Sequence, residues 1–207
     1  MPEIVRLPDV TNRELVERHA APGRVGLAGG SALVDRVIRR AEGRLQRPDR
    51  TSSRFSHALL FTGRRVDGHH WVAESDLDVG KKHVRLGAQE NRADRLFDEA
   101  DYPHLAILDF GLTDEQAVRV VTAALDLVAG QARYSLRELA GTLLSLARPS
   151  LRSRTNLLAR EGSLYCSAFV QACYEAVGID FAPGIHLKNT TPEDLATTAV
   201  PHTAYLR

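Results

Sequence analysis

Both cysteines of the chain lie in one stretch, SLYCSAFVQACYEAVG, at positions 166 and 173. Four chemistries could use such a pair: a disulfide, a metal site, a nucleophilic thiol or plain core packing. On one helix, positions i and i+7 stand about 10 Å apart, too far for disulfide geometry. A structural zinc site would need a CxxC pair or a finger-like His–Cys spacing, and the sequence has neither. Cys166 follows Ser163, a candidate helix cap, by three residues, so it falls in the first helical turn. Unpaired backbone N–H groups and the positive end of the helix dipole favour a thiolate there. Cys173 sits two turns further on, beside Phe169, Val170, Ala176 and Val177, and reads as a small core hydrophobe. Tyr165 and Ser167 flank the first cysteine and are the candidate substrate contacts, although packing is also open to Tyr165.

A nucleophilic thiol needs a base within hydrogen-bond reach, and the base needs an orienting group. Among eight histidines, His57 stands out because it interrupts the apolar run FSHALLF, where an imidazole is costly unless its nitrogens find partners. Glu74 is placed in the same way inside WVAES. If these two runs are paired strands, His57 and Glu74 can share a face, and the carboxylate can orient the ring and stabilise its charged form. A core histidine with satisfied nitrogens is the competing reading of His57. His69, His70 and His83 could together form a metal site, but their turn-like, lysine-flanked settings do not point to one, and no metal or other cofactor is expected.

These residues require elements to hold them. Residues 55–61 and 70–75 read as strands joined by a hairpin over TGRRVDGH. Further strands are expected near 82–86 and at 105–110. SALVDRVIRRAEG, from Ser31 to Gly43, reads as a capped helix. Thr113 with Gln116 forms a capping box ahead of a helix whose apolar stripe would be Val118, Val121, Leu125 and Val128. Ser135 with Glu138 opens another, and Thr191 with Pro192 starts a short one near the end. Residues 1–23 read as a loose extension, because prolines and glycines punctuate residues 1–30. The arginine-rich stretch 148–160 reads as a solvated surface loop, within a segment, 141–161, that could be an insert or a lid. The order of helix, strands and helices gives an α+β class within a single domain over 1–207.

Composition narrows the function. The 207 residues are 43% hydrophobic and 26% charged, with 27 basic and 26 acidic side chains and a net charge of +1. Such a balance creates no broad field for nucleic acid or an anionic membrane. There is no apolar run long enough to span a bilayer. The start MPEIVRLPDV lacks the basic and then apolar order of a signal peptide, so a cytoplasmic protein is expected.

The succession SHALLFTG, WVAES and LYCSAFVQACYEAVG resembles the circularly permuted, papain-like branch of the NlpC peptidase superfamily. That branch includes YiiX-like and YaeF-like proteins and, more distantly, the lecithin–retinol acyltransferase group. The glycine-rich start, the SALVDRVIRRAEG helix and the TPEDLATTA tail extend the likeness over most of residues 24–200. The resemblance implies a papain-like antiparallel sheet packed on helices, with Cys166 as nucleophile, His57 as base and Glu74 as orienting group. It implies a cysteine hydrolase, amidase or peptidase in kind, working through an acyl-enzyme thioester on a small-molecule, peptide or lipid-linked amide or ester. The alternatives are a thioesterase or acyltransferase on lipid-linked groups, and a non-catalytic peptide- or lipid-binding member of the fold. Many relatives read Cys-Ser-Glu where this chain reads Cys166-Ser167-Ala168, so the substrate does not follow from the likeness, nor does the oligomeric state.

Overall fold

The computed structural model describes residues 2–31, 36, 39–40, 53–76, 87–130 and 165–207. Its strands are β1 (Glu3–Arg6), β2 (Val25–Gly29), β3 (His57–Arg64), β4 (His70–Asp76), β5 (Gly87–Arg92), β6 (His104–Asp109) and β7 (Thr203–Leu206). Its helices are α1 (Asn12–His19), α2 (Asp114–Ala129), α3 (Cys166–Glu175) and α4 (Pro192–Ala196), with 3₁₀ turns at Ala93–Phe97 and Leu187–Asn189. The strands form one sheet in the order β1-β7-β6-β2-β3-β4-β5. Every pairing is antiparallel except β1 with β7, so the sheet is mixed rather than antiparallel throughout.

Period-two alternation gives the central strands two apolar faces, and each face is covered. On one, Val25, Leu27, Ala58, Leu60 and Ala73 pack with Val120 and Ala124 of α2 and with Phe169, Val170, Cys173 and Tyr174 of α3. On the other, Leu59, Phe61, Val72, Leu105 and Ile107 pack with Leu15 and Val16 of α1 and with Ala93 and Leu96 of the first 3₁₀ turn.

Several expectations are corrected. Residues 1–23 are not a loose extension: Thr11 and Glu14 form a capping box that starts α1, and β1 pairs in register with β7. Pro2, Pro8, Pro22 and Gly23 lie outside these two elements, while Gly26 and Gly29 lie inside β2. The buried face of α2 is Val120 and Ala124, not the stripe through Val118, which is 64% exposed; the capping box at Thr113 stands as read. Pairing continues through Gly87–Arg92, a polar strand that the pattern did not reveal. The helix over 31–43 lies largely outside the described residues. The strand near 82–86, the Ser135 helix, the 141–161 insert, the arginine-rich loop and the Ser163 cap lie wholly outside them.

Candidate active site

The β3–β4 ladder aligns Leu60 with Ala73 and Phe61 with Val72. Carried back along the strands, this register sets Glu74 opposite Leu59, with His57 diagonal to it on the same face. Such diagonal neighbours are within reach of long side chains. The His57 Nε2–H donates to Glu74 Oε2 at 2.7 Å. Glu74 is fully buried, and the His57 side chain is 13% exposed.

Two further side chains complete the carboxylate's surroundings. Asn91 of β5 donates from Nδ2 to Glu74 Oε1 at 2.7 Å. It reaches it because the β4–β5 register places Gln89 opposite Glu74 and Asn91 two residues along, on the same face. Arg95, in the 3₁₀ turn that follows, forks between Glu74 Oε2 and Asp76 Oδ2, at 2.9 Å to each. Burial opposes the charge on Glu74. The Arg95 guanidinium, the His57 bond and the Asn91 amide outweigh it and hold the carboxyl down at about 2.

Cys166 arrives from the other layer. It is the first residue of α3, and its thiol stands close enough to the His57 ring to raise the ring's proton affinity. Since Nε2 is engaged by Glu74, Nδ1 is the ring nitrogen left for sulfur. Contact across the layers occurs because His57 is the first residue of β3 and so stands at the sheet's margin. Burial works against a charged His57, but the bonds and charges of Cys166 and Glu74 prevail, and the imidazolium is favoured well above the usual histidine range.

The helix start differs in detail from its reading in the sequence. The cap position is Tyr165, whose own side chain makes no capping bond. Backbone N–H groups of the first turn, that of Cys166 included, therefore have no intrahelical carbonyl. The Tyr165 hydroxyl and the Ser167 hydroxyl both donate to the Thr190 carbonyl, Ser167 at 2.8 Å. Both side chains are buried, so their bonds pin the turn that carries the thiol. Cys173 is fully buried, and burial pushes its thiol up to about 12, as a core residue requires. The other histidines are dispersed. His69 pairs with Asp94 at 2.7 Å, His70 faces Glu17 at 3.8 Å, and His83 lies outside the described residues.

His57, Glu74 and Cys166 were legible as chemistry-bearing residues. Asn91 and Arg95 were not: nothing in GAQENRADRLF separates Arg95 from Arg92 until the β4–β5 register is known.

An α+β molecule thus carries a Cys–His–Glu constellation where a helix start meets the margin of a seven-stranded sheet. Its fold is similar to that of a solved protein from Escherichia coli O157:H7, described as the metalloprotein YiiX. That likeness has a TM-score of 0.56 at 12% identity and covers 89% of this chain and 96% of that one. No protein-family model matches the chain, and no curated protein matches it in sequence. Among the described residues, no group of three or more His, Cys, Asp or Glu side chains is arranged to hold a metal ion. No helix among them is long and apolar enough to cross a membrane.

Proposed function

We propose that the chain is a cysteine hydrolase of the permuted papain-like, NlpC-type kind, acting on an amide or peptide through Cys166, His57 and Glu74. The observation that carries this reading is the continuous contact from the Glu74 carboxylate through the imidazole to the thiol. His57 and Cys166 act as an imidazolium–thiolate pair. The sulfur attacks the substrate carbonyl carbon, and the developing oxyanion accepts from the backbone N–H at Cys166. As the C–N bond breaks, His57 gives its proton to the leaving amine, and a thioester remains on Cys166. Water then attacks the thioester, His57 takes its proton, the thiolate departs, and a carboxylic acid is released. Glu74 keeps the ring in orientation and supports its charge without taking the proton. A reducing cytoplasm suits a protein whose two cysteines are both free.

A second reading, acyl transfer or thioester cleavage on lipid-linked groups, draws on a cavity of about 140 Å³. Leu27, Phe55, Leu108 and Ala204 line it, with Arg54 among the lining residues. Arg54 and Phe55 stand three and two residues before His57, so the segment that leads to the base forms part of the cavity wall. This reading expects turnover to rise with acyl chain length; amides cleaved with no such dependence count against it.

The test is thiol alkylation by iodoacetamide across pH, followed by mass spectrometry at Cys166 and Cys173 separately, in the wild type and in His57→Ala. Cys166 is expected to react well below the range of a free thiol, whose pKa is about 8.5, and to lose this in His57→Ala. Cys173 is expected to stay inert while the protein is folded. Slow reaction at both cysteines, indifferent to His57, would overturn the reading in favour of a non-catalytic binding protein.

A further inference from the structure

We propose that Arg95 is a positioning residue for the reaction: its fork between Glu74 and Asp76 fixes the carboxylate that orients His57 and sets the pH range in which the thiolate pair exists. The inference rests on the function proposed above and adds a fourth residue to it.

The argument starts from the acceptor atom. Glu74 Oε2 receives both His57 Nε2 and Arg95 Nη2, at 2.7 and 2.9 Å, while Oε1 is held by Asn91. A fully buried carboxylate with a single weakly acidic partner would tend to protonate, and a protonated Glu74 would no longer support an imidazolium. Arg95 supplies a permanent charge on the same oxygen. Its second branch is held by Asp76, two residues along β4, so the guanidinium spans two carboxylates on one strand. The groups that face this network are His57 from β3, Glu74 and Asp76 from β4, Asn91 from β5, Tyr102 near Arg95, and Cys166 from α3 beyond the ring. Glu74 is held at about 2 with Arg95 as the largest force lowering it, in line with this geometry.

Loss of the guanidinium acts in one direction on each step. Without a nearby positive charge Glu74 protonates at higher pH, so the pair it supports is lost on the acid side at higher pH. The imidazolium, freed from a neighbouring cation, holds its proton to higher pH. Both limbs of the pH profile therefore move upward.

The experiment measures iodoacetamide alkylation at Cys166 across pH in the wild type, Arg95→Met, Arg95→Gln and Arg95→Lys, with thermal melts beside it. Arg95→Met and Arg95→Gln are expected to raise the acid-side midpoint by about one pH unit, a loss of about tenfold in rate on that limb. Arg95→Lys keeps the charge and is expected to hold the midpoint near that of the wild type. If Arg95→Met does not fold, Arg95→Gln and Arg95→Lys carry the comparison. Midpoints that stay together while only the melting temperature falls would overturn the inference and leave Arg95 a structural residue. Failure of the catalytic reading has a different signature: wild-type Cys166 without His57-dependent reactivity.

Discussion

His57 and Glu74 were found in the sequence for one reason: each is a titratable side chain in an apolar strand, where burial without a partner is expensive. The structure supplies the partners, and this makes the loss of Glu74 costly. In Glu74→Gln, Arg95 and His57 face an amide where a charge stood, and breaking a buried ion pair on one side costs about 3–5 kcal/mol. The variant should melt well below the wild type at neutral pH. The gap should close on acidification, in a direction fixed by the shift. Glu74 ionises at about 2 in the folded chain, against 4.5 as its ordinary value. Its contribution is therefore present above about 4.5 and is lost as the pH falls towards 2. His57 works in the opposite sense. Its folded value is raised above 6.5, so its contribution is complete below that and disappears as the pH rises through the folded value. Melting curves of wild type and Glu74→Gln from neutral pH down to the acid limit check the first statement; a gap that does not narrow would contradict it. Arg95 and Asn91 escaped the sequence because a charged or polar residue in a polar segment carries no such cost signal.

Among the elements, the position of β3 decides the site. Its first residue stands between two layers, so a thiol from the α3 side and a guanidinium from the α1 side serve one imidazole and its carboxylate. The segment leading into β3 is placed by close contact with β2. A Cβ on Gly29 would fall 2.0 Å from the Arg54 carbonyl oxygen, a backbone atom that cannot turn aside. Gly29→Ala should therefore displace the Arg54–His57 segment, destabilise the fold by roughly 1–3 kcal/mol as overpacking does, and slow Cys166 alkylation together with the melting shift. Wild-type melting and alkylation in this variant would mean that the backbone yields there. Strands with a clear apolar run, β3, β4 and β6, were legible to within three residues at each end. β5 was not, because the residues that GAQENR buries, Gly87 and Gln89, are not apolar side chains. The α2 stripe was misphased because an all-round apolar composition, DEQAVRVVTAALDLVA, offers more than one valine-rich face; the sheet selects the one with Val120 and Ala124.

For the molecule as a whole, the α+β class and the order of central elements could be read from the sequence, while the role of the first twenty residues could not. Their meaning depends on partners nearly the full chain length away. Asn12 shows this. It is fully buried, and its amide donates to the carbonyls of Leu96 and Tyr102 at 2.8 and 2.9 Å. Its oxygen accepts from Arg207 at 3.0 Å, and Arg207 also donates to Val10 and Glu99. Asn12→Ala would strand two carbonyls and a guanidinium branch and should cost about 1–3 kcal/mol. A melt shows that loss, and a melting temperature unchanged from the wild type would contradict it. The parallel pairing of β1 with β7 joins residues 3–6 to 203–206. A molecule gripped near residues 2 and 207 in an optical trap would drag these neighbouring strands lengthwise in opposite directions. Their ladder would then carry the tension as one unit instead of unzipping bond by bond, so the fold should give way at high force in a single abrupt rupture.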